Sequence, residues 1–211
     1  MQQLIFSTLH DLKVGSPAHY QGLSIYPLFR STSPIQEYEM LRTAFHKRWV
    51  HINEISEGGS VPELKLINES DNYILILDGE ELEGAKQNRV LNTSLLVPGK
   101  SQLIIPVSCT EQGRWSRISP EFKNSEKILF SKARVNKMET VHKSLKQNRM
   151  FNSNQGEIWN NISKVQADLN YHSPTSAMKD VYDSNQSSID DFLEKISLQE
   201  QQVGIIVGLG G

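Results

Sequence analysis

The feature that most constrains this chain is a polar break, Asp78-Gly79-Glu80-Glu81-Leu82-Glu83-Gly84-Ala85-Lys86-Gln87-Asn88-Arg89, held between two runs that read as buried strands. Upstream, residues 72–77 (NYILIL) are short, apolar and aromatic-bearing; downstream, residues 89–97 (RVLNTSLLV) resume a β-like pattern. Charges do not follow a strand into a core without partners. The break is therefore expected at a sheet end or in a connecting loop, where its side chains converge.

The flanks read as a β-rich front and a helical back. Residues 23–29 (LSIYPLF) form a strand whose Pro27 places it at an edge or a bulge. Residues 36–47 carry Tyr38, Leu41, Ala44 and Phe45 at helical spacing and predict a short amphipathic helix. Residues 49–55 (WVHINEI) alternate apolar and polar, the pattern of a half-buried strand, and 57–60 (EGGS) turn the chain. The next strands are 61–68 and 72–77, joined by 69–71 as a hairpin-like connection. Strands at 90–97 and 102–107 around a turn at 98–100 complete a meander at sandwich or barrel spacing.

Beyond Trp115 the composition shifts. Residues 124–147 hold Ile128, Leu129, Ala133, Val135, Met138, Val141 and Leu145 among lysines, with no Gly or Pro, and predict one long helix. A second helix is expected over 155–169, a third from the cap-like Ser173-Pro174 through Tyr182, and a fourth over 187–196. The glycine-broken run 202–211 reads as a strand returning to the sheet. The expected fold is α+β within one domain, 1–211: an antiparallel β-sandwich or open barrel-like sheet (20–118), a helical half packed on it (124–197), and a return strand (202–209).

At 211 residues the chain can bury a sizeable core, and its net charge of -2 argues against a nucleic-acid binder, which normally shows a basic excess. Its apolar stretches are too short to span a bilayer and it opens on no signal-like segment, so no membrane partner and a cytoplasmic location are expected. The single cysteine, Cys109, fits a reducing compartment.

Within the polar break, Arg89 can meet a pyrophosphate as a bidentate fork and Lys86 as a point charge. Gln87, Asn88 and Asn92 supply amide groups for a base edge or ribose hydroxyls, and Gly79 and Gly84 permit tight turns. The alternative is a surface ion network in which Glu80, Glu81 and Glu83 pair with Lys86 and Arg89. A second cluster, Glu111-Gln112-Gly113-Arg114-Trp115, follows an apolar strand. There Arg114 and Trp115 offer a cation and an aromatic plate, unless Trp115 closes the core and Arg114 pairs with Glu111. The ligand-binding candidates are Glu81, Lys86, Gln87, Asn88, Arg89, Asn92, Arg114 and Trp115. As a loop cation, Arg89 should be removable with little loss of fold.

Catalytic signals are weaker. Cys109 needs a base such as His51 or His142 to act as a nucleophile, and reads better as a small buried residue. The six histidines lack metal-ligand spacing, so neither metal nor cofactor is expected. Glu80, Glu81 and Glu111 are the candidates for acid and base in glycosidic-bond hydrolysis.

The run from Leu77 through Ser94, followed by Ile105-Pro106-Val107-Ser108-Cys109 and Glu111-Gln112-Gly113-Arg114-Trp115, resembles the ARG and Rhodanese-Phosphatase-superfamily-associated protein domain. The resemblance extends from about Leu23 to the C-terminal strand, through Gln155-Gly156-Glu157-Ile158-Trp159 and Ser173-Pro174-Thr175. Family members continue past a strand like 203–209, whereas this chain stops at Gly211, as a C-terminally shortened member would. Through the family's gene association with ADP-ribosylglycohydrolases, the resemblance implies a role near ADP-ribose-type nucleotides.

The expected function is binding of an ADP-ribose-derived nucleotide, including a cyclic ADP-ribose-type signal, for sensing or sequestration without turnover. A hydrolase using the acidic motif and a protein-interaction scaffold built on the Lys-rich segment are the alternatives. The apolar tail also predicts a homo-oligomer, against a monomer whose tail fills a slot in its own sheet.

Overall fold

The computed structural model describes residues 2–31, 36–56, 58 and 62–210. The expected turn at 57–60 lies almost wholly outside them. No helix among the described residues is long and apolar enough to cross a membrane. The chain divides into two compact units, Met1–Gln36 with Asn185–Gly211, and Glu37–Ser184.

The first unit holds α1 (Gln2–His10), β1 (Leu12–Val14), β2 (Ala18–Tyr20), β3 (Leu23–Arg30), α6 (Gln186–Lys195) and β13 (Gln202–Leu209). Contrary to the edge or bulge expected from its proline, β3 is the central strand of a four-stranded sheet, flanked by β13 on one side and by β1 and β2 on the other. The Pro27 carbonyl accepts from Gly15 N at 2.8 Å between β1 and β2, so its missing N–H faces a break in the ladder and costs no bond. The tail is the return strand that the sequence implied, antiparallel to β3.

The second unit is built on a six-stranded antiparallel sheet. It uses β5 (Val50–Glu54), β6 (Glu63–Asn68), β8 (Glu80–Gly84), β9 (Arg89–Leu91), β11 (Ser101–Cys109) and β12 (Phe122–Ile128), in the order β12-β8-β9-β11-β6-β5. The sheet curls until its edges approach: His51 on β5 lies 3.4 Å from Glu121, which leads into β12. Inside the curl sit Ile52, Leu64, Leu66, Leu82, Leu91, Ile105 and Val107. A small sheet of β4 (Glu39–Met40), β7 (Ile74–Ile76) and β10 (Leu95–Val97), with α2 (Leu41–His46), contributes Ile74, Ile76, Val97, Leu41 and Ala44 to the same core. Each such aliphatic burial is worth about 1.5–3 kcal/mol. The other face of the large sheet packs Val90 against Leu129, Ala133, Ile158, Ile162 and Met178, from α3 (Ser131–Asn148), α4 (Gln155–Asp168), α5 (Met178–Ser184) and the approach to α3.

This is a mixed α+β arrangement of sheets and helices, antiparallel except where β4 pairs parallel with β7, and several local expectations change within it, the helix expected over 36–47 starting only at Leu41 after β4. The strands at 61–68 and 72–77 do not form a hairpin, because β6 and β7 belong to different sheets. Asn68 Nδ2 donates to Asn72 O at 2.9 Å and Pro98 O at 2.8 Å, while Asn68 Oδ1 accepts from Ser70 N at 3.0 Å, which turns the chain out of one sheet into the other. The run 90–97 is likewise two strands, β9 and β10. The helix expected over 124–147 begins only at Ser131, since its first residues form β12. The third helix starts at Met178 rather than Pro174; Ser173 Oγ accepts from Ala177 N at 2.9 Å in the preceding turn.

Candidate functional site

The polar break is a β-hairpin, not a loop. Its charges enter the sheet, and each buried one is met by partners or by another charge. Gly84 (φ +129°) and Ala85 (φ 42°) make the turn between β8 and β9. A Cβ on Gly84 would come within 2.5 Å of Ser119 Oγ and 2.8 Å of Glu121 O, so both its dihedral and its space require glycine. Asn88 Oδ1 accepts from Gly84 N at 3.1 Å and from Arg114 Nη2 at 3.1 Å. Arg114 also donates to Ala85 O at 2.8 Å and to Glu111 Oε2 at 2.5 Å. Burial raises the Glu111 carboxyl, but the hydrogen bonds from Arg114 and Thr175, the Arg114 charge and the Asn88 N–H outweigh it and leave it below the usual carboxylate value. Arg114, Asn88 and Glu111 thus brace the turn, and the pairing of Arg114 with Glu111 is the one open from sequence.

Strand alternation then separates the motif onto two faces. Leu82, Arg89 and Cys109 are register partners across β8, β9 and β11 and point into the curl. Arg89 is fully buried. Its Nη1 donates to Gln87 Oε1 at 3.1 Å and Gln87 O at 3.3 Å, and the Cys109 thiol donates to Gln87 Oε1 at 3.0 Å. Gln87 is itself held by donation from its Nε2 to Glu111 O at 2.9 Å. Burial pushes the Cys109 thiol up, the opposite of an activated nucleophile. Trp115, half exposed, lies over this cluster with its ring centroid 5.7 Å from Arg89 Cζ and 5.4 Å from Lys86 Nζ. Lys86 Nζ also donates to Gly58 O at 2.6 Å.

Across the curl from Arg89 stands Glu54, a residue outside both sequence motifs. The side chain of Glu54 is 3% exposed, with one carboxylate oxygen 3.9 Å from Arg89 Nη2. Both Glu54 oxygens, and Arg89 Nε and Nη2, have no hydrogen-bond partner among the described residues. Two opposite charges are thus buried together while their hydrogen-bonding edges stay unmet, an arrangement that costs stability unless something else fills them.

Glu81 and Asn92 point elsewhere. Glu81 pairs with Val90, and Val90 with Ser108, on the helix-covered face. There Glu81 accepts from Thr110 Oγ1 at 2.6 Å and Ser125 Oγ at 3.0 Å, and burial raises its carboxyl to about 7 despite those bonds. Asn92 donates to Phe151 O at 2.9 Å and Val107 O at 3.2 Å and accepts from Ser108 Oγ at 2.6 Å, tying β9 to β11 and to the segment before α4. Glu80, next to Glu81 on the strand, faces the opposite side, where its Oε2 accepts from Leu77 N at 2.8 Å. These two carboxylates therefore do not flank a common point.

At the hairpin's start Asp78 meets the Lys-rich helix. Arg134 Nε donates to it at 2.8 Å, and the fully buried Lys137 ammonium lies on its other oxygen while also donating to Leu91 O at 2.9 Å and Asn92 O at 3.1 Å.

The motifs that build this hairpin and its braces lie inside a family-model match spanning residues 11–211. The chain belongs to the ARG and Rhodanese-Phosphatase-superfamily-associated Protein domain family. The match runs through the return strand to Gly211, so β13 is part of the family region. No curated protein and no solved structure matches the chain.

For this family member, the residues gathered at one end of the curled sheet are Lys86, Gln87, Arg89 and Trp115, with Asn88 and Arg114 behind them as braces. Glu54 joins them, and its signal was present in the sequence. In the alternating run 49–55, Val50, Ile52 and Glu54 share the inward phase, so a carboxylate occupies an apolar position.

Proposed function

We propose that this chain is a cytoplasmic protein that binds an ADP-ribose-derived nucleotide, a cyclic ADP-ribose-type signal included, and holds it without turnover as a sensor or a sink. The observation that carries the reading is the Nε–Nη2 edge of Arg89, buried and without a hydrogen-bond partner among the described residues. That edge is the side of a guanidinium that grips a phosphate through two parallel bonds. Trp115 supplies a half-exposed aromatic plate beside Arg89 and Lys86, a combination suited to a base beside a phosphate. The choice of ADP-ribose among nucleotides is supported by the family's association with ADP-ribosylglycohydrolases, reflected in its name. Binding is preferred to turnover because the thiol at the site is held protonated by burial and Glu111 is committed to Arg114.

The test is incubation of the purified protein with ADP-ribose and with cyclic ADP-ribose isomers, followed by heating and analysis of what is released. Recovery of unchanged ligand in proportion to protein supports the reading. Release of no ligand overturns it, and a new product favours hydrolysis.

A further inference from the structure

We infer that Glu54 reads a ribose: its two carboxylate oxygens accept the vicinal hydroxyls of one ribose of the bound nucleotide while the free edge of Arg89 takes a phosphate. The inference rests on the nucleotide reading above and adds which part of the ligand each charge holds.

The argument starts from position. Glu54 lies opposite Leu64, and Leu64 opposite Ile105, so the carboxylate ends a row that is otherwise apolar. Its side chain is 3% exposed. A carboxylate so placed normally collects hydrogen bonds or a close ion pair, and this one has neither: Arg89 Nη2, at 3.9 Å, is near enough for attraction and too far for a bond. Two acceptors and two donors are thus left facing one another inside the curl.

The chemistry of the two groups then divides the ligand. An ionised carboxylate only accepts, so it cannot take a phosphate and must take donors. A guanidinium only donates, so it takes the phosphate. A group bearing two neighbouring hydroxyls close to a phosphate satisfies both at once, and a ribose 5′-phosphate is such a group. Acceptance of ribose hydroxyls by a carboxylate is an established recognition mode in unrelated folds. Removing those hydroxyls from the ligand leaves the carboxylate unmet, which is the kind of loss a binding site discriminates against strongly.

Calorimetry on the whole chain tests this with three probes: ADP-ribose, an analogue lacking both hydroxyls of the adenosine ribose, and an analogue lacking the vicinal hydroxyls of the distal ribose. The wild-type protein should bind one of the two analogues on the order of tenfold to a hundredfold more weakly than ADP-ribose. In Glu54→Gln the gap between that analogue and ADP-ribose should shrink. Equal binding of all three probes by the wild type overturns the inference and leaves Glu54 a neighbour of Arg89, while the nucleotide reading stands. A discrimination that persists unchanged in a folded Glu54→Gln also overturns it. Failure of the wild type to bind any probe removes the nucleotide reading and the ribose assignment with it. The wild-type comparison decides even where the variant does not fold.

Discussion

The ammonium of Lys137 on α3 rests on the carboxylate of Asp78 at the start of the β8–β9 hairpin. Its remaining protons go to the carbonyls of Leu91 and Asn92 at 2.9 and 3.1 Å, so all three of its donors are used. Burial lowers the Lys137 ammonium and Asp78 opposes that shift. The helix rich in lysine therefore turns one of them inward as a rivet. Lys137→Met should destabilise the protein by about 3–5 kcal/mol, because it leaves Asp78 and two carbonyls with fewer partners. Urea unfolding followed by circular dichroism measures the shift; an unchanged midpoint would show that Arg134 alone holds Asp78.

Glu81 predicts a pH dependence of stability with a defined sign. Its carboxyl is raised by burial from an ordinary 4.5 to about 7, so the folded state binds the proton more tightly than the unfolded state. The stability it contributes is complete below pH 4.5, declines as pH rises, and is lost above about 7. The size is on the order of a few kcal/mol. Glu81→Gln retains an acceptor and a donor for Thr110 and Ser125, and should be more stable than wild type at pH 8 yet close to it at pH 5. Melting temperatures at the two pH values give the difference, and parallel pH profiles would refute the assignment.

Arg89 was expected to be a removable loop cation, but it is fully buried beside Glu54. Arg89→Ala would strand that carboxylate and unfold part of the sheet, so it confounds binding with folding. Arg89→Lys keeps the charge and discards the fork. It should weaken nucleotide binding by about 1.5–3 kcal/mol with the fold intact. Titration calorimetry on the folded variant showing wild-type affinity would remove Arg89 from the site.

Trp115 should report ligand directly. A base stacked on its half-exposed ring changes its emission, and such stacking is worth about 1–3 kcal/mol. Trp49 and Trp159 also emit, so the signal must be read against Trp115→Phe. A ligand-induced change that survives this substitution places the base elsewhere.

The return strand β13 pairs with β3 along one edge only, and its other edge has no partner among the described residues. Val203, Ile205, Ile206 and Val207 on it are half exposed, and the strand carries no charge or proline to blunt pairing. Pairing of this edge with a second copy, the commonest symmetric outcome, predicts a mass above 23.9 kDa that rises with concentration. Light scattering coupled to size exclusion checks it, and Ile206→Lys should return the protein to the monomer mass. A constant 23.9 kDa would defeat the expectation.

Period-two alternation made β5 readable, β11 and β13 were legible as short apolar runs, and the apolar stripe of α4 was equally plain. What the sequence hid were effects of tertiary bonding on short elements. The segment at β12 looks helical because residues 124–127 hold no Gly or Pro and run straight into the apolar positions of α3, whereas pairing with β8 makes them strand, with a register shift between Asn124 and Ile128 and Glu126 at φ 60°. The connection at 69–71 looks like a hairpin loop because nothing local shows that Asn68 will bond Pro98, thirty positions away. The polar break looked like a loop on the premise that buried charge needs partners. The premise holds, but the partners lie at Lys137, Ser125, Thr110 and Glu54, all distant in sequence.

Arg89, Val90 and Leu91 are three consecutive, fully buried residues of one short strand, and each answers to a different neighbour: the Glu54 carboxylate, the helical layer and the apolar core. A genetic scan through this strand will accordingly score every position as intolerant, and for three unrelated reasons. Ligand analogues, which leave the strand untouched, are the instrument that tells recognition apart from architecture here.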